Sequence, residues 1–181
     1  AESDNDGEDL KEYEQSPEAM KEILEDAQLQ ENEEMSENMA EALQESNISD
    51  QVDISFTAQY VQLTMNGALL FDSGSAQLKD ESIQILQKVG DILQYYGTGV
   101  IEIEGHTDNV PISSSQYPSN EELSSARALS VFYFLEENTL LDPTNLRHAG
   151  MGERIPIADN STAEGRSRNR RVEIRIYNSA R

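Results

Sequence analysis

The chain has 181 residues, no cysteine and a formal net charge of −22 at pH 7. An acidic chain repels the phosphate backbone, which argues against nucleic acid as a partner. The absence of cysteine excludes disulfides and thiolate metal sites, and no apolar run approaches the roughly 20 residues that a membrane-spanning helix needs.

The acidic charge is concentrated near the start of the chain. Residues 1–50 hold 18 Asp and Glu against 2 Lys and Arg, whereas the rest of the chain holds 17 acidic and 11 basic residues. We therefore predict an acidic N-terminal segment followed by one domain at residues 51–181, a length in the usual range for domains. Residues 1–15 are nearly free of aliphatic side chains, which predicts a disordered tail.

Residues 16–50 are predicted to form a helical linker. Ser16-Pro17 is typical of a helix start, and no further Pro or Gly occurs in this segment. Apolar residues follow helical spacing in only two pieces, one around Ile23 and one around Met39. Two interpretations stay open: a solvated, partly formed linker helix, or a helix that pairs with a second chain through its thin apolar stripe.

The remaining sequence predicts an α+β fold. Alternating apolar residues predict strands over residues 52–56, 61–65, 100–104, 146–149 and 172–177, and helical spacing predicts helices over residues 80–96 and 121–137. This order of elements is typical of a mixed sheet with helices packed on one face. In the strand 100–104, Ile101 and Ile103 are expected to face the core, and Glu102 and Glu104 are expected to face solvent.

The first candidate for function is Thr107-Asp108, directly after the predicted strand 100–104. Binding residues are often placed on a loop at the end of a rigid strand. Asp108 would there accept a cationic group. The alternative, which the pattern leaves open, is that Asp108 only ties its own loop through backbone N–H groups.

The second candidate is Arg127, which lies between two alanines near the apolar side of the second helix. Arginine is rarely buried without a partner, and its fork suits a carboxylate. That carboxylate would belong either to a ligand or to an internal acid such as Asp108. Asn120 lies two helical turns earlier on the same side, so we expect it near Arg127, towards the loop.

The third candidate is the basic run at residues 165–171, which we expect to lead into the last strand. Strand alternation sends Arg170 and Arg171 to opposite faces, so at most one of them reaches a given site. The other is expected to pair with Glu173 or Glu104, or to remain in solvent.

One carboxylate, one or two guanidiniums and an amide suit a zwitterionic ligand better than they suit catalysis. The only histidines are His106 and His148, and neither lies in a G-x-S-x-G motif that would indicate a serine nucleophile. A metal site would need more histidines or clustered acids than Asp108 with His106. We predict no enzyme activity, no cofactor and no metal ion.

Three separated blocks resemble the OmpA-like peptidoglycan-binding domain. They are Gly105-His106-Thr107-Asp108-Asn109, Asn120 with Leu123-Ser124-Ser125-Ala126-Arg127-Ala128, and Gly165-Arg166 with Asn169-Arg170-Arg171-Val172-Glu173-Ile174. The resemblance runs from about residue 69 to residue 177. It implies that Asp108 binds the ammonium of the diamino acid in the stem peptide and that Arg127 binds its carboxylate. Thr107, Asn120 and Arg170 would complete the pocket.

Three further stretches, at residues 70–78, 107–112 and 152–156, resemble the MotB subfamily of flagellar motor stators. This resemblance implies an extracytoplasmic homodimer that anchors a MotA-like partner to the cell wall. Its membrane helix would lie outside this chain, and residues 16–50 would form the plug and linker. Glu121 stands where that subfamily often has an aromatic residue. Alternatives are an OmpA-like envelope lipoprotein without a motor role, or a wall-modifying enzyme.

Overall fold

The computed structural model describes residues 16–178. The predicted disorder of residues 1–15 lies outside the described residues. Five strands form one sheet in the order β1–β2–β5–β3–β4, in which only the β3–β4 pair is parallel. Their bounds are β1 Val52–Phe56, β2 Tyr60–Asn66, β3 Ile101–His106, β4 Leu146–Gly150 and β5 Arg171–Tyr177.

Three long helices cover one face of this sheet, as predicted for the α+β fold. The helices are α1 Pro17–Glu45, α2 Gly67–Leu70, α3 Asp80–Tyr96, α4 Asn120–Asn138 and α5 Ala163–Asn169, with a 3-10 turn at Pro143–Asn145. Helix α1 contacts β1 and α3, α3 contacts α4, and α4 contacts β3 and β4. The apolar side chains of α1, α3 and α4 join those of the sheet in one core.

Two glycines bring α4 unusually close to the sheet. A Cβ added at Gly105 would collide with the backbone carbonyl of Ser124, and one added at Gly150 would collide with the backbone of Ser125. Glycine is therefore required at both positions for α4 to lie on β3 and β4. This contact sets the distance between the end of β3, which carries Asp108, and the helix that carries Arg127.

The two short helices were not predicted. The Asn66 side chain accepts a hydrogen bond from Ala68 N and starts α2. The basic run was expected to lead directly into the last strand. Most of it instead forms α5, whose first turn is capped by Thr162 through Gly165 N. Local capping starts both helices, and neither is long enough to show a hydrophobic period.

Helix α1 has two dissimilar halves. Met39 and Leu43 are 0% and 1% exposed and belong to the core, and Asn32 Nδ2 donates to Thr57 O at 2.8 Å. Met20 and Ile23 are each 61% exposed. The solvated interpretation therefore fits only the N-terminal half, because the stripe around Met39 packs on its own domain. Of the helices in residues 16–178, none has the length and hydropathy to cross a membrane.

The opposite face of the sheet carries a buried polar cluster. Glu104 was predicted to face solvent, but it is only 3% exposed and lies 3.3 Å from Arg175. The segment between β4 and α5 crosses this end of the face, where Ile155 O accepts a hydrogen bond from Arg171. Arg171 also pairs with Glu173 at 3.0 Å, which confirms one of the partners expected from strand alternation.

Candidate functional site

A cleft of about 430 Å³ lies where β3 ends, between α2, the start of α4 and α5. All five residues predicted for the site line it: Thr107, Asp108, Asn120, Arg127 and Arg170. The cleft also includes residues that sequence reasoning missed, namely the Phe71 ring, Ser73, Gly74 and Arg166. The segment containing Phe71 and Gly74 had been part of the resemblance to the MotB subfamily, which was the available signal for it.

Asp108 both ties its own loop and forms an ion pair. Its Oδ1 accepts a hydrogen bond from Val110 N at 2.9 Å, and its Oδ2 lies 2.5 Å from Arg170 Nη1. The Asp108 side chain is 10% exposed, whereas that of Arg170 is 39% exposed. Because an ion pair with one exposed partner is weak, a ligand cation can compete with Arg170 for this carboxylate.

Arg127 does not pair with Asp108. Its Nε donates to Ser75 O at 2.8 Å and its Nη2 donates to Asp72 O at 3.1 Å, and its guanidinium lies 5.0 Å from the centre of the Phe71 ring. Of the two alternatives for Arg127, a ligand carboxylate or an internal acid, residues 16–178 therefore do not supply the internal acid.

The electrostatics of Arg127 favour an anionic ligand. Burial, together with the nearby Arg170 guanidinium, lowers the pKa of Arg127 from its ordinary value. Arginine nevertheless stays protonated in proteins. Backbone carbonyls accept hydrogen bonds from Nε and Nη2 of Arg127 but do not neutralise its charge. A ligand carboxylate at this position would therefore gain a charge-assisted hydrogen bond.

Thr107 and Asn120 hold the loop that carries Asp108. The Thr107 hydroxyl donates to Asp108 O at 2.8 Å, and Thr107 N donates to Gly152 O at 2.9 Å. Asn120 is the first residue of α4, and its Nδ2 donates to Val110 O at 3.0 Å. Asn120 was expected beside Arg127 along the helix, and the structure adds that it fastens the loop to the helix start.

A second cleft of about 310 Å³ adjoins the first and shares Ile112 and Asn120 with it. Glu121 lies in this second cleft and forms an ion pair with Arg154 at 3.0 Å. The departure from the subfamily pattern at Glu121 therefore lies beside the main cleft and leaves its charged residues unaffected.

The arrangement is suited to binding. The main cleft presents one carboxylate, Asp108, and three guanidiniums, those of Arg127, Arg166 and Arg170, against the apolar side chains of Phe71 and Leu123. His106 is not among the lining residues, because it points to the opposite face of the sheet with Glu104 and Glu173. The lining residues thus include no histidine that could activate a hydroxyl nucleophile.

Known proteins are similar to this chain in sequence and in fold. The OmpA family profile matches residues 70–170. Motility protein B of Bacillus subtilis is 38% identical over 129 residues, which cover 71% of this chain and 49% of that protein. The cell wall anchor of the T6SS from Pseudomonas aeruginosa is 36% identical with a TM-score of 0.71, and the match covers 77% of this chain and 96% of that one.

A further solved relative is the periplasmic domain of Helicobacter pylori MotB, which is 27% identical with a TM-score of 0.65. That match covers 71% of this chain and 89% of the Helicobacter chain. This chain spans about half the length of the curated relatives it matches. With the family profile matching more than half of its residues, the chain belongs to the OmpA family.

Proposed function

We propose that this chain binds the peptidoglycan of the cell wall without catalysing a reaction, and that the main cleft holds the diamino acid of a stem peptide. The proposal rests on the partners of the two central charges of the cleft, Asp108 and Arg127. Within residues 16–178, Asp108 has only the half-exposed Arg170 as its ionic partner, while Arg127 is held by backbone carbonyls. The relative from Pseudomonas aeruginosa is itself described as a cell wall anchor.

In this binding mode the ligand ammonium takes the place of Arg170 at Asp108. The ligand carboxylate binds Arg127, and the released Arg170 is close enough to the cleft to share it. The guanidiniums of Arg127 and Arg170, with the carboxylate of Asp108, fit a side chain that ends in both an ammonium and a carboxylate, as that of diaminopimelate does. A lysine-type side chain carries only the ammonium and would leave both arginines without a carboxylate.

At the level of the whole protein, we propose a MotB-like stator anchor. The chain would lie on the extracytoplasmic side, form a homodimer and join a MotA-like subunit through a membrane segment outside this chain. The supports are the relatives Motility protein B and Helicobacter pylori MotB. The second candidate is a wall tether without a motor role, favoured by the likeness to the T6SS anchor. Copurification with a MotA-like subunit separates the two.

The N-terminal segment fits the linker of such an anchor. The first half of α1 exposes Met20, Ile23 and Leu24, which are 61%, 61% and 58% exposed, whereas Leu43 is in the core. We propose that residues 16–50 connect the wall-binding domain to the rest of the protein, with α1 anchored at its C-terminal half. Limited proteolysis should therefore cut before Asn32 and spare the region around Leu43.

Sedimentation with insoluble peptidoglycan tests the wall-binding proposal. The wild-type chain should be retained on walls that contain diaminopimelate and retained less on walls that contain lysine. Asp108→Asn should lose retention, because it removes the charge but keeps an oxygen for the Val110 N–H. Asp91→Asn is the matched control, since Asp91 is exposed on α3, away from the cleft. Equal retention of the two variants would refute the assigned site.

A further inference from the structure

Three side chains that can ligate a metal converge on the face of the sheet opposite the helices. Glu104 and His106 come from β3 and Glu173 comes from β5, and the three residues are 3%, 2% and 4% exposed. His106 Nε2 lies 3.9 Å from Glu104 Oε1 and 3.6 Å from Glu173 Oε1. Their convergence follows from the register, because Glu104 is paired with Glu173 across the two strands.

These three residues carry most of the buried side-chain polar atoms that lack a hydrogen-bond partner within residues 16–178. Within residues 16–178, five buried side-chain nitrogen or oxygen atoms have no hydrogen-bond partner. Four of the five belong to this cluster: Glu104 Oε2, both ring nitrogens of His106, and Glu173 Oε2. Buried polar groups are nearly always satisfied, so unpartnered atoms on three adjoining side chains point to a shared ligand.

We propose that Glu104, His106 and Glu173 bind a divalent transition-metal ion, with Zn²⁺ as the best fit. Zinc accepts both imidazole nitrogen and carboxylate oxygen as ligands, whereas Ca²⁺ and Mg²⁺ prefer oxygen ligands alone. Zinc bonds of about 2.0–2.2 Å place neighbouring ligand atoms roughly 3–4 Å apart. The two separations from His106 Nε2, 3.9 Å and 3.6 Å, already lie in that range.

Arg171 is compatible with a bound metal. It is fully buried, and its Nε donates to Glu173 Oε1 at 3.0 Å, while its other nitrogens donate to the carbonyls of Asn169 and Ile155. This arrangement holds the Glu173 carboxylate and leaves Glu173 Oε2 without a hydrogen bond.

Arg175 competes with a metal ion for the carboxylates of Glu104 and Glu173. Its guanidinium lies 3.3 Å from Glu104 Oε2 and 3.7 Å from Glu173 Oε2, without forming a hydrogen bond to either atom. The Arg175 side chain is 24% exposed, and it has other partners in Gln62 Oε1 at 3.0 Å and the ring of Tyr60. A metal ion must displace this guanidinium, so Arg175 sets the affinity.

The metal would tie β3 to β5 directly behind the cleft. His106 precedes Asp108 by two residues, and the cross-strand partner of His106 is Arg171, the neighbour of Arg170. A metal at this position would hold the two strand ends that carry the Asp108–Arg170 pair. This inference concerns the opposite face of the sheet and does not depend on the proposed wall ligand.

Calorimetric titration of the untagged, EDTA-treated chain with ZnCl₂ tests the proposal. We expect one Zn²⁺ per chain and a rise in Tm of about 5 °C at saturation. His106→Gln should abolish both effects. His148→Gln should retain them, because His148, the only other histidine, is exposed. Arg175→Gln should bind Zn²⁺ at least about tenfold more tightly, because the competing charge is removed.

The Arg175→Gln variant keeps the test decisive even if His106→Gln fails to fold. Absence of Zn²⁺ binding by both the wild type and Arg175→Gln would overturn the proposal. Binding confined to Arg175→Gln would overturn it for the native chain. Binding that survives in a folded His106→Gln variant would assign the ion to a different site, such as the acidic N-terminal segment, and would also overturn it.

Discussion

The cleft and the buried cluster behind it take their charged residues from neighbouring positions at the ends of the same two strands, β3 and β5. The charges of the two groups differ in how deeply they are buried. Arg170 and Arg171 are adjacent in sequence, but the side chain of Arg171 is 1% exposed and that of Arg170 is 39% exposed. Arg171 is held by Glu173 and two carbonyls. Strand alternation and cover by a loop, rather than residue type, therefore decide which charge supports the fold and which stays available to a ligand.

The largest expected effect is on stability at the buried position. Arg171→Met leaves Glu173 as a buried charge without its main partner, and the free energy of unfolding should fall by about 3–5 kcal/mol. Arg170→Met removes a partly exposed ion pair and should cost about 1 kcal/mol or less. Urea denaturation of the two variants measures the difference. Equal losses would contradict the division between the two clusters.

The next effect is on binding at Arg127. Arg127→Gln removes the cation expected to bind the ligand carboxylate, and affinity for the wall peptide should fall by about 2–5 kcal/mol. It also removes the donors to Asp72 O and Ser75 O, so a smaller loss of stability, about 1–3 kcal/mol, should accompany it. Calorimetric titration separates the two effects if it is performed on variant protein whose circular dichroism shows a folded state.

A change of selectivity is expected at Arg170. Arg170→Gln frees Asp108 from its ion pair and removes one guanidinium that favours a ligand carboxylate. The preference for diaminopimelate over lysine in the stem peptide should shrink by about 1.5–3 kcal/mol, the usual contribution of a hydrogen bond to a charged group. Competition between the two peptides measures this preference. An unchanged ratio of the two affinities would show that Arg170 does not contribute to selectivity.

The smallest effect is expected at Asn120. Asn120→Ala removes the hydrogen bonds from its side chain to the carbonyls of Val110 and Asp108 but no charge. Affinity should fall by about 1 kcal/mol, with the free energy of unfolding nearly unchanged, because the loop rather than the core loses its attachment. A loss as large as that of Arg127→Gln would mean that Asn120 contacts the ligand directly.

The long elements of the domain at residues 51–181 could be predicted from the local spacing of their apolar residues. The predicted helix at residues 80–96 matches α3, and the second long helix was predicted to within one residue at each end of α4. The two strands β1 and β2 follow from alternation. The burial of Glu104 could not be predicted, because it depends on side chains from the distant strand β5, such as Arg175, whose guanidinium lies 3.3 Å from it.

That the five candidate residues lie around one cleft was predictable, but the hydrogen bonds and ion pairs among them were not. The family blocks indicated five residues, and the structure gathers all of them around one cleft. Which arginine meets Asp108 depends on how the end of β3 faces the turn between α5 and β5, and α5 itself was not predicted. The carbonyls that hold Arg127 come from residues 72–75, over 50 positions away in the sequence, and backbone acceptors leave no signature in residue type.

The most direct test of the wall-binding account is the affinity for a soluble stem peptide that carries diaminopimelate, measured for the wild type and for Asp108→Asn. The account predicts measurable binding by the wild type and a loss of about 2–5 kcal/mol in Asp108→Asn, with no change in the control Asp91→Asn. Equal affinities of the wild type and Asp108→Asn, or no binding by the folded wild-type chain, would contradict it.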